Sequence, residues 1–286
     1  MRLGYLGPPG TFSEEALRAQ PFASDAELVP FASIHETVMA VDDGGVDRAL
    51  VPIENALEGG VPATLDALAV DAGDVAIVGE AVLAIRNCLV AREDLALDAI
   101  TVVVSHPQPL AQCARFLRSE LPQAEVHATT STAEAVRMVA ATDEPWAALG
   151  PRSAAERYGC HVRRWGVDDD PDNATRFVWL APAGTQPVGA EDATAWKTSL
   201  VFAGAGDLQP GWLVRCLSEF AFRGVNLTKI ESRPRRVRLG HYMFFADLDG
   251  STADPHVTEA LAALEARVHE LRLLGSYPSG PGRTPR

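Results

Sequence analysis

The sequence predicts an α/β protein in two parts: an open sheet region over 1–182 and a smaller ferredoxin-like βαββαβ domain over 196–277. Three observations predict it. Short apolar runs alternate with amphipathic stretches that open on Ser or Thr and carry Glu three residues later, the pattern of strands feeding capped helices. The run Ala183-Gly184-Thr185-Gln186-Pro187-Val188-Gly189 has linker composition, and 183–195 is assigned to a linker. Beyond it the signals fall in the order β-α-β-β-α-β.

Taken in order, 3–6 is a strand running into Gly7-Pro8-Pro9-Gly10, and Thr11 with Glu14 caps the helix that follows. A helix start after such a loop is an anion site or an ordinary connection. A strand at 27–31 precedes a helix capped by Ser33 and Glu36, and 46–53 is a strand ending at Glu54-Asn55. Pro62 lies in the first turn of a helix over 61–70. The strand-rich stretch 77–85 breaks the rhythm and reads as a crossing connection. A strand at 100–105, a helix at 107–121, a strand at 125–128, a helix capped by Ser131 and Glu134, a strand at 146–149 and a helix at 152–158 then follow. With 175–180 as the return crossing, the region divides into a lobe of about 1–76 plus 163–182 and a lobe of about 77–162, with a cleft between them. Ligands of such sheets bind at the carboxyl ends of strands, where Thr11, Asn55, His106 and Thr129 fall. In the second part, strands are expected at 198–202, 226–232, 242–247 and 270–277, and helices at 211–222 and 255–268; the tail 278–286 is expected to be disordered.

Composition narrows the function classes. The chain has 286 residues, 47% hydrophobic, enough for a sizeable core. Its net charge of −13 argues against a nucleic-acid or anionic-membrane partner. Arg233, Arg235, Arg236 and Arg238 are its dense basic cluster, expected on a solvated hairpin. No apolar run approaches the roughly 20 residues of a membrane span, and the start Met1 to Gly7 lacks the pattern of a secretory signal, so a cytoplasmic location is expected. Cys88, Cys113, Cys160 and Cys216 lack metal or redox spacing and read as reduced, mostly buried small side chains.

The chemistry concentrates at Asn173-Ala174-Thr175-Arg176-Phe177, which leads into the core strand residues Val178, Trp179 and Leu180. Strand alternation puts Thr175 and Phe177 on one face and Arg176 on the other. A hydroxyl that donates, a guanidinium that forks onto carboxylates and a ring that excludes water suit an apolar acid with a leaving hydroxyl. A loop turning into a core strand is the plain alternative.

The segments Gly7-Pro8-Pro9-Gly10-Thr11-Phe12-Ser13, Val51-Pro52-Ile53-Glu54-Asn55, Glu58-Gly59-Gly60-Val61, Ser105-His106-Pro107-Gln108, Asn173-Ala174-Thr175-Arg176-Phe177 and Glu231-Ser232-Arg233-Pro234 together resemble the prephenate dehydratase family over 4–277. The resemblance implies a catalytic domain of two lobes like type II periplasmic binding proteins, then an ACT regulatory domain. It implies conversion of prephenate to phenylpyruvate without metal or organic cofactor, with Thr175 catalytic. Asn173, Phe177, Glu54, Asn55, Thr11, Ser105, His106, Gln108 and Thr129 are candidate substrate-binding residues. Arg176 either contacts substrate or pairs with an acid such as Glu54. Phenylalanine is the implied effector, at Gly211, Leu213, Asn226, Leu227, Glu231, Ser232, Arg233 and Pro234, between the ACT domains of a homodimer or homotetramer. Two departures stand out: Ala56 where the family commonly has serine, and Trp212 within its Gly-Ala-Leu motif. Arogenate dehydratase and a noncatalytic amino-acid-binding protein are the competing readings.

Overall fold

Alternation of side chains along the central strands builds the layers. The computed structural model describes residues 1–204 and 209–280. Its elements are β1 (Arg2–Leu6), α1 (Phe12–Arg18), β2 (Glu27–Phe31), α2 (Ile34–Asp42), β3 (Arg48–Asn55), the short β4 (Gly59–Gly60), α3 (Pro62–Asp66) and β5 (Val75–Ala84). Next come β6 (Cys88–Ala91), β7 (Val102–Ser105), α4 (Pro107–Gln112), α5 (Ala114–Glu120), β8 (Glu125–Ala128), α6 (Thr132–Ala140), β9 (Trp146–Gly150), α7 (Arg152–Tyr158), β10 (His161–Arg164) and β11 (Ala174–Pro182). The chain ends with β12 (Trp196–Ala203), α8 (Trp212–Ala221), β13 (Leu227–Pro234), β14 (Tyr242–Asp249), α9 (Pro255–Glu265) and β15 (Glu270–Pro278).

Strands order as β2-β1-β3-β11-β5 in a first sheet, β10-β6-β9-β7-β8 in a second and β13-β14-β12-β15 in a third. In the second sheet β7 pairs parallel with β8 and β9, while β6 runs antiparallel to β9 and β10. Both faces of this sheet are covered. Cys88, Val90, Val104 and Ala148 face the core under α6 and α7, and their neighbours Leu89, Ala91, Val103 and Ala147 face a second core with Cys113 and Leu117. Near-continuous apolar strands are what such two-sided burial demands.

Two expectations need correcting. β5 stays in the first sheet through Ala84, so the first crossing falls at 85–87, later than the boundary near 76. The return crossing falls between β10 and β11, at 165–173. The expected helix over 107–121 is two helices, broken at Cys113 (φ −114°, ψ 18°). Asp169 causes the break: its N–H donates to the Gln112 carbonyl at 2.7 Å, and its carboxylate accepts from Arg115 N at 3.1 Å. An outside group inserted into the i→i−4 ladder kinks a helix.

Contacts group the chain into two compact units, one of 1–37, 50–59 and 82–177, the other of 38–49, 60–81 and 178–286. In the second unit α8 and α9 cover the third sheet around Leu200, Phe202, Phe220, Leu248 and Leu264. Lys197 and Glu80, both nearly fully buried, pair at 2.6 Å. A Cβ on Gly275 would meet the Ile77 carbonyl oxygen at 2.0 Å, so β15 packs backbone to backbone there. Pro278 closes β15, and Ser279 and Gly280 donate to the Ala195 carbonyl and the Glu80 carboxylate. The rest of the expected disordered tail, 281–286, lies outside the described residues. No helix among the described residues is long and apolar enough to cross a membrane.

Candidate functional site

Within the first unit the loops at strand ends enclose a cavity of about 460 Å³. Thr11 and Ser13 after β1, Asn55 at the end of β3, His106 and Gln108 after β7, Ser131 and Thr132 after β8, and Asn173, Thr175 and Phe177 around the start of β11 line it. Its apolar wall is Leu6, Pro8, Phe12, Pro52, Ile85 and Phe177.

Asn55 organises the polar centre. Its Oδ1 accepts from Leu57 N at 3.0 Å and Glu58 N at 3.2 Å, which orients the amide. Nδ2 then donates to Asn173 Oδ1 and Thr175 Oγ1, each at 3.0 Å. Because Thr175 Oγ1 is an acceptor in that bond, its own proton is available to a group in the cavity. Asn173 Nδ2 donates to Gln112 Oε1 at 3.3 Å, and Gln112 Nε2 reaches Glu58 Oε1 at 3.3 Å. Gln112 lines the cavity but was not among the sequence candidates.

Helix starts supply the positive potential. The Ser131 side chain accepts from Glu134 N at 3.1 Å, capping α6, and Thr130, Ser131 and Thr132 line the cavity. Thr11 caps α1 by accepting from Glu14 N and donates to the Leu6 carbonyl at 3.1 Å. His106 caps α4, its Nδ1 accepting from Gln108 N at 3.3 Å. The first-turn amides of these helices attract anions. Among the described residues that line the cavity there is no lysine or arginine. Glu134 also lines it, and hydrogen bonds from Arg137 hold its carboxyl below the ordinary range.

Several candidates lie elsewhere. Arg176, on the opposite face of β11, reaches Glu54 Oε2 with Nε at 3.1 Å and Nη2 at 3.0 Å, and neither residue lines the cavity. Strand alternation turns it away from Thr175 and towards Glu54. Ser105 is fully buried and donates to the Leu149 carbonyl at 2.7 Å inside the second sheet. Thr129 spends its hydroxyl on Ser131, donating to its carbonyl and accepting from its N–H. Ser105 and Thr129 therefore hold strand ends in place; Thr130 and Ser131 take the places in the wall.

The effector candidates separate in the same way. Gly211 (φ 75°) and Leu213 line a cavity of about 300 Å³ with Trp212, Val214, Gly240, Tyr242 and Phe244. Trp212 is fixed there by Nε1–H donating to the Arg267 carbonyl at 3.0 Å and by rings of Phe202 and Phe244 about 6 Å away. Asn226 donates to Asp249, and Leu227 packs on the core. Glu231 lies so close to Gly60 that a Cβ there would meet its carboxylate, and Arg233 forks onto Asp66 with Nε at 3.0 Å and Nη2 at 2.7 Å. Arg236 joins the same carboxylate. Asn226, Leu227, Glu231, Ser232, Arg233 and Pro234 do not line that cavity; Arg233 ties β13 to α3, and Glu231 lies against β4.

Residues 3–185 match the prephenate dehydratase family profile. The prephenate dehydratase of Amycolatopsis methanolica is 40% identical over 285 residues, covering 98% of this chain and 90% of its own. The crystal structure of prephenate dehydratase from Arthrobacter aurescens in complex with L-Phe superposes with a TM-score of 0.87 at 39% identity, over 97% of this chain and 90% of that one. A protein described as a novel type of quorum-quenching acylase superposes with a TM-score of 0.85 at 28% identity, over 98% of this chain and 99% of that one. By profile, by identity along nearly its whole length and by fold, the chain belongs to the prephenate dehydratase family of lyases.

Proposed function

We propose that the protein converts prephenate to phenylpyruvate, carbon dioxide and hydroxide, the dehydratase step towards phenylalanine. The observation that carries this reading is the Thr175 hydroxyl, held as an acceptor by Asn55 so that its proton is directed to a bound ligand. As the ring carboxylate leaves as carbon dioxide, its C–C electron pair enters the ring and the C–O bond opposite breaks. Aromatisation supplies the driving force. The departing oxygen gathers negative charge, and a hydrogen bond from Thr175 is stronger to that oxygen than to the neutral hydroxyl, which is the condition for a rate effect. Phe177 and Ile85 keep water from the breaking bonds, and the helix starts at Ser131 and Thr11 accept the carboxylates.

For the C-terminal βαββαβ unit we read a phenylalanine-responsive ACT domain. Its strand order, the cavity at Gly211 and Leu213 and the L-Phe bound in the Arthrobacter aurescens relative support this. Pairing of two such units in a homodimer or homotetramer would complete a binding site for the effector. The test is phenylpyruvate formation from prephenate and from arogenate, with and without phenylalanine. Prephenate turnover that phenylalanine alters is expected. Turnover of arogenate alone would overturn the substrate assignment, and a rate indifferent to saturating phenylalanine would overturn the regulatory one.

A further inference from the structure

Glu14, in the first turn of α1, is 5% exposed. Its Oε2 accepts from Gly10 N–H at 2.5 Å, and its Oε1 takes a fork from Arg18, Nε at 2.8 Å and Nη2 at 2.7 Å. Arg157 Nη1, on α7 of the other lobe, stands 3.7 Å from the same Oε1. Two neighbouring bonds join the same pieces of chain: Ser153 Oγ donates to Glu15 Oε2 at 3.0 Å, and Tyr158 Oη donates to the Pro9 carbonyl at 3.4 Å. Gly10 holds φ +90°, in the left-handed region that favours glycine, and a Cβ there would meet Ala154 Cα at 3.4 Å. The charge of Glu14 also reaches buried Tyr5, whose phenol is pushed up to about 12 by burial first and by this carboxylate second.

A carboxylate taken out of water is a costly way to tie down a turn. It is justified where the turn must keep one shape, and Gly7, Pro8, Thr11, Phe12 and Ser13 of this turn form one stretch of the cavity wall. A second stretch, Thr130 to Thr132, leads into α6, which shares a core with α7. We propose that Glu14 is a positioning residue for the reaction: without touching substrate, it sets the turn through Gly10 and clasps it to α7, which holds the two stretches of wall in register. This rests on the prephenate reading above. The wall contacts substrate in the ground state and the transition state alike, while Thr175 stays held by Asn55, so the effect falls on binding more than on the chemical step.

The test compares wild type, Glu14→Ala, Glu14→Gln and Gly10→Ala for prephenate KM and kcat, each beside a thermal melt. Glu14→Ala is expected to raise KM about tenfold, with kcat within about threefold of wild type. Glu14→Gln is expected to bring KM back to within about threefold of wild type, because its amide oxygen can accept from Gly10 N–H. A merely structural role would lower kcat with the folded fraction and leave KM unmoved. That result, or a Gln variant as impaired in KM as the Ala variant, would overturn the inference. Should Glu14→Ala fail to fold, Gly10→Ala carries the test: it keeps the carboxylate, displaces the turn and is expected to raise KM in the same way, and an unmoved KM would overturn the inference. Wild type that fails to turn over prephenate removes the substrate reading itself, whereas normal turnover with an unmoved KM in Glu14→Ala removes this inference alone.

Discussion

Replacing Thr175 by valine keeps the volume and branching of the side chain and removes its hydroxyl. The structural cost is small. Asn55 Nδ2 loses one acceptor and keeps Asn173 Oδ1 and the Ala174 carbonyl, so the loss of stability is about 1 kcal/mol. For a chain of this size that lowers Tm by about 2–4 °C. The catalytic cost is large, because assistance to a leaving group is worth about 10²- to 10⁴-fold, or roughly 3–5 kcal/mol of barrier. Thr175→Val is therefore expected to bind prephenate with a KM near wild type while kcat falls by that factor, and Thr175→Ser is expected to recover most of it. Phenylpyruvate formation measured beside a thermal melt separates the two effects. A well-folded Thr175→Val with kcat within tenfold of wild type would refute the role assigned to the hydroxyl.

Other expectations follow from contacts away from the reacting atoms. Arg176→Met strips the cation from Glu54 and should cost about 1–3 kcal/mol in denaturant melts, with prephenate KM little changed; a large rise in KM would return Arg176 to the substrate. Burial pushes the Cys88 thiol up to about 11. The unfolded thiol ionises from near 9, so between these values the unfolded chain binds fewer protons and native stability falls as pH rises. Cys88→Ala should flatten that fall, and thiol labelling of the native protein at pH 8 should favour half-buried Cys160 over buried Cys88 and Cys113. Asp66→Ala releases Arg233 and Arg236 and should weaken the response to phenylalanine while basal turnover stays within about threefold of wild type; an unchanged dose response would show that this anchor does not serve regulation.

What could be read without the structure was local. The caps by Thr11, Ser33 and Ser131 span three residues, and each hydroxyl accepts the expected amide. The two faces of β11 followed from strand geometry, yet the role of Arg176 needed the position of Glu54, 122 residues away. Gln112 escaped because its side chain joins Asn173 where Asp169 kinks the helix. β10 escaped because its residues are mostly exposed and carry no alternation. Glu231 and Arg233 were read as an effector motif from their order alone, and only tertiary packing puts them against Gly60 and Asp66.

The family match ends at 185, which invites cutting the chain there to obtain a free-standing catalytic fragment. The packing of 60–81 argues against the cut. Truncation at 185 would strip Lys197 from buried Glu80, Arg233 and Arg236 from Asp66, and Arg272 from the carbonyls of Ala72, Gly73 and Val75. Buried carboxylates stripped of these cations and newly bared apolar surface favour aggregation. For expression and crystallisation, the useful boundary of this protein is therefore its C-terminal strand, not its linker.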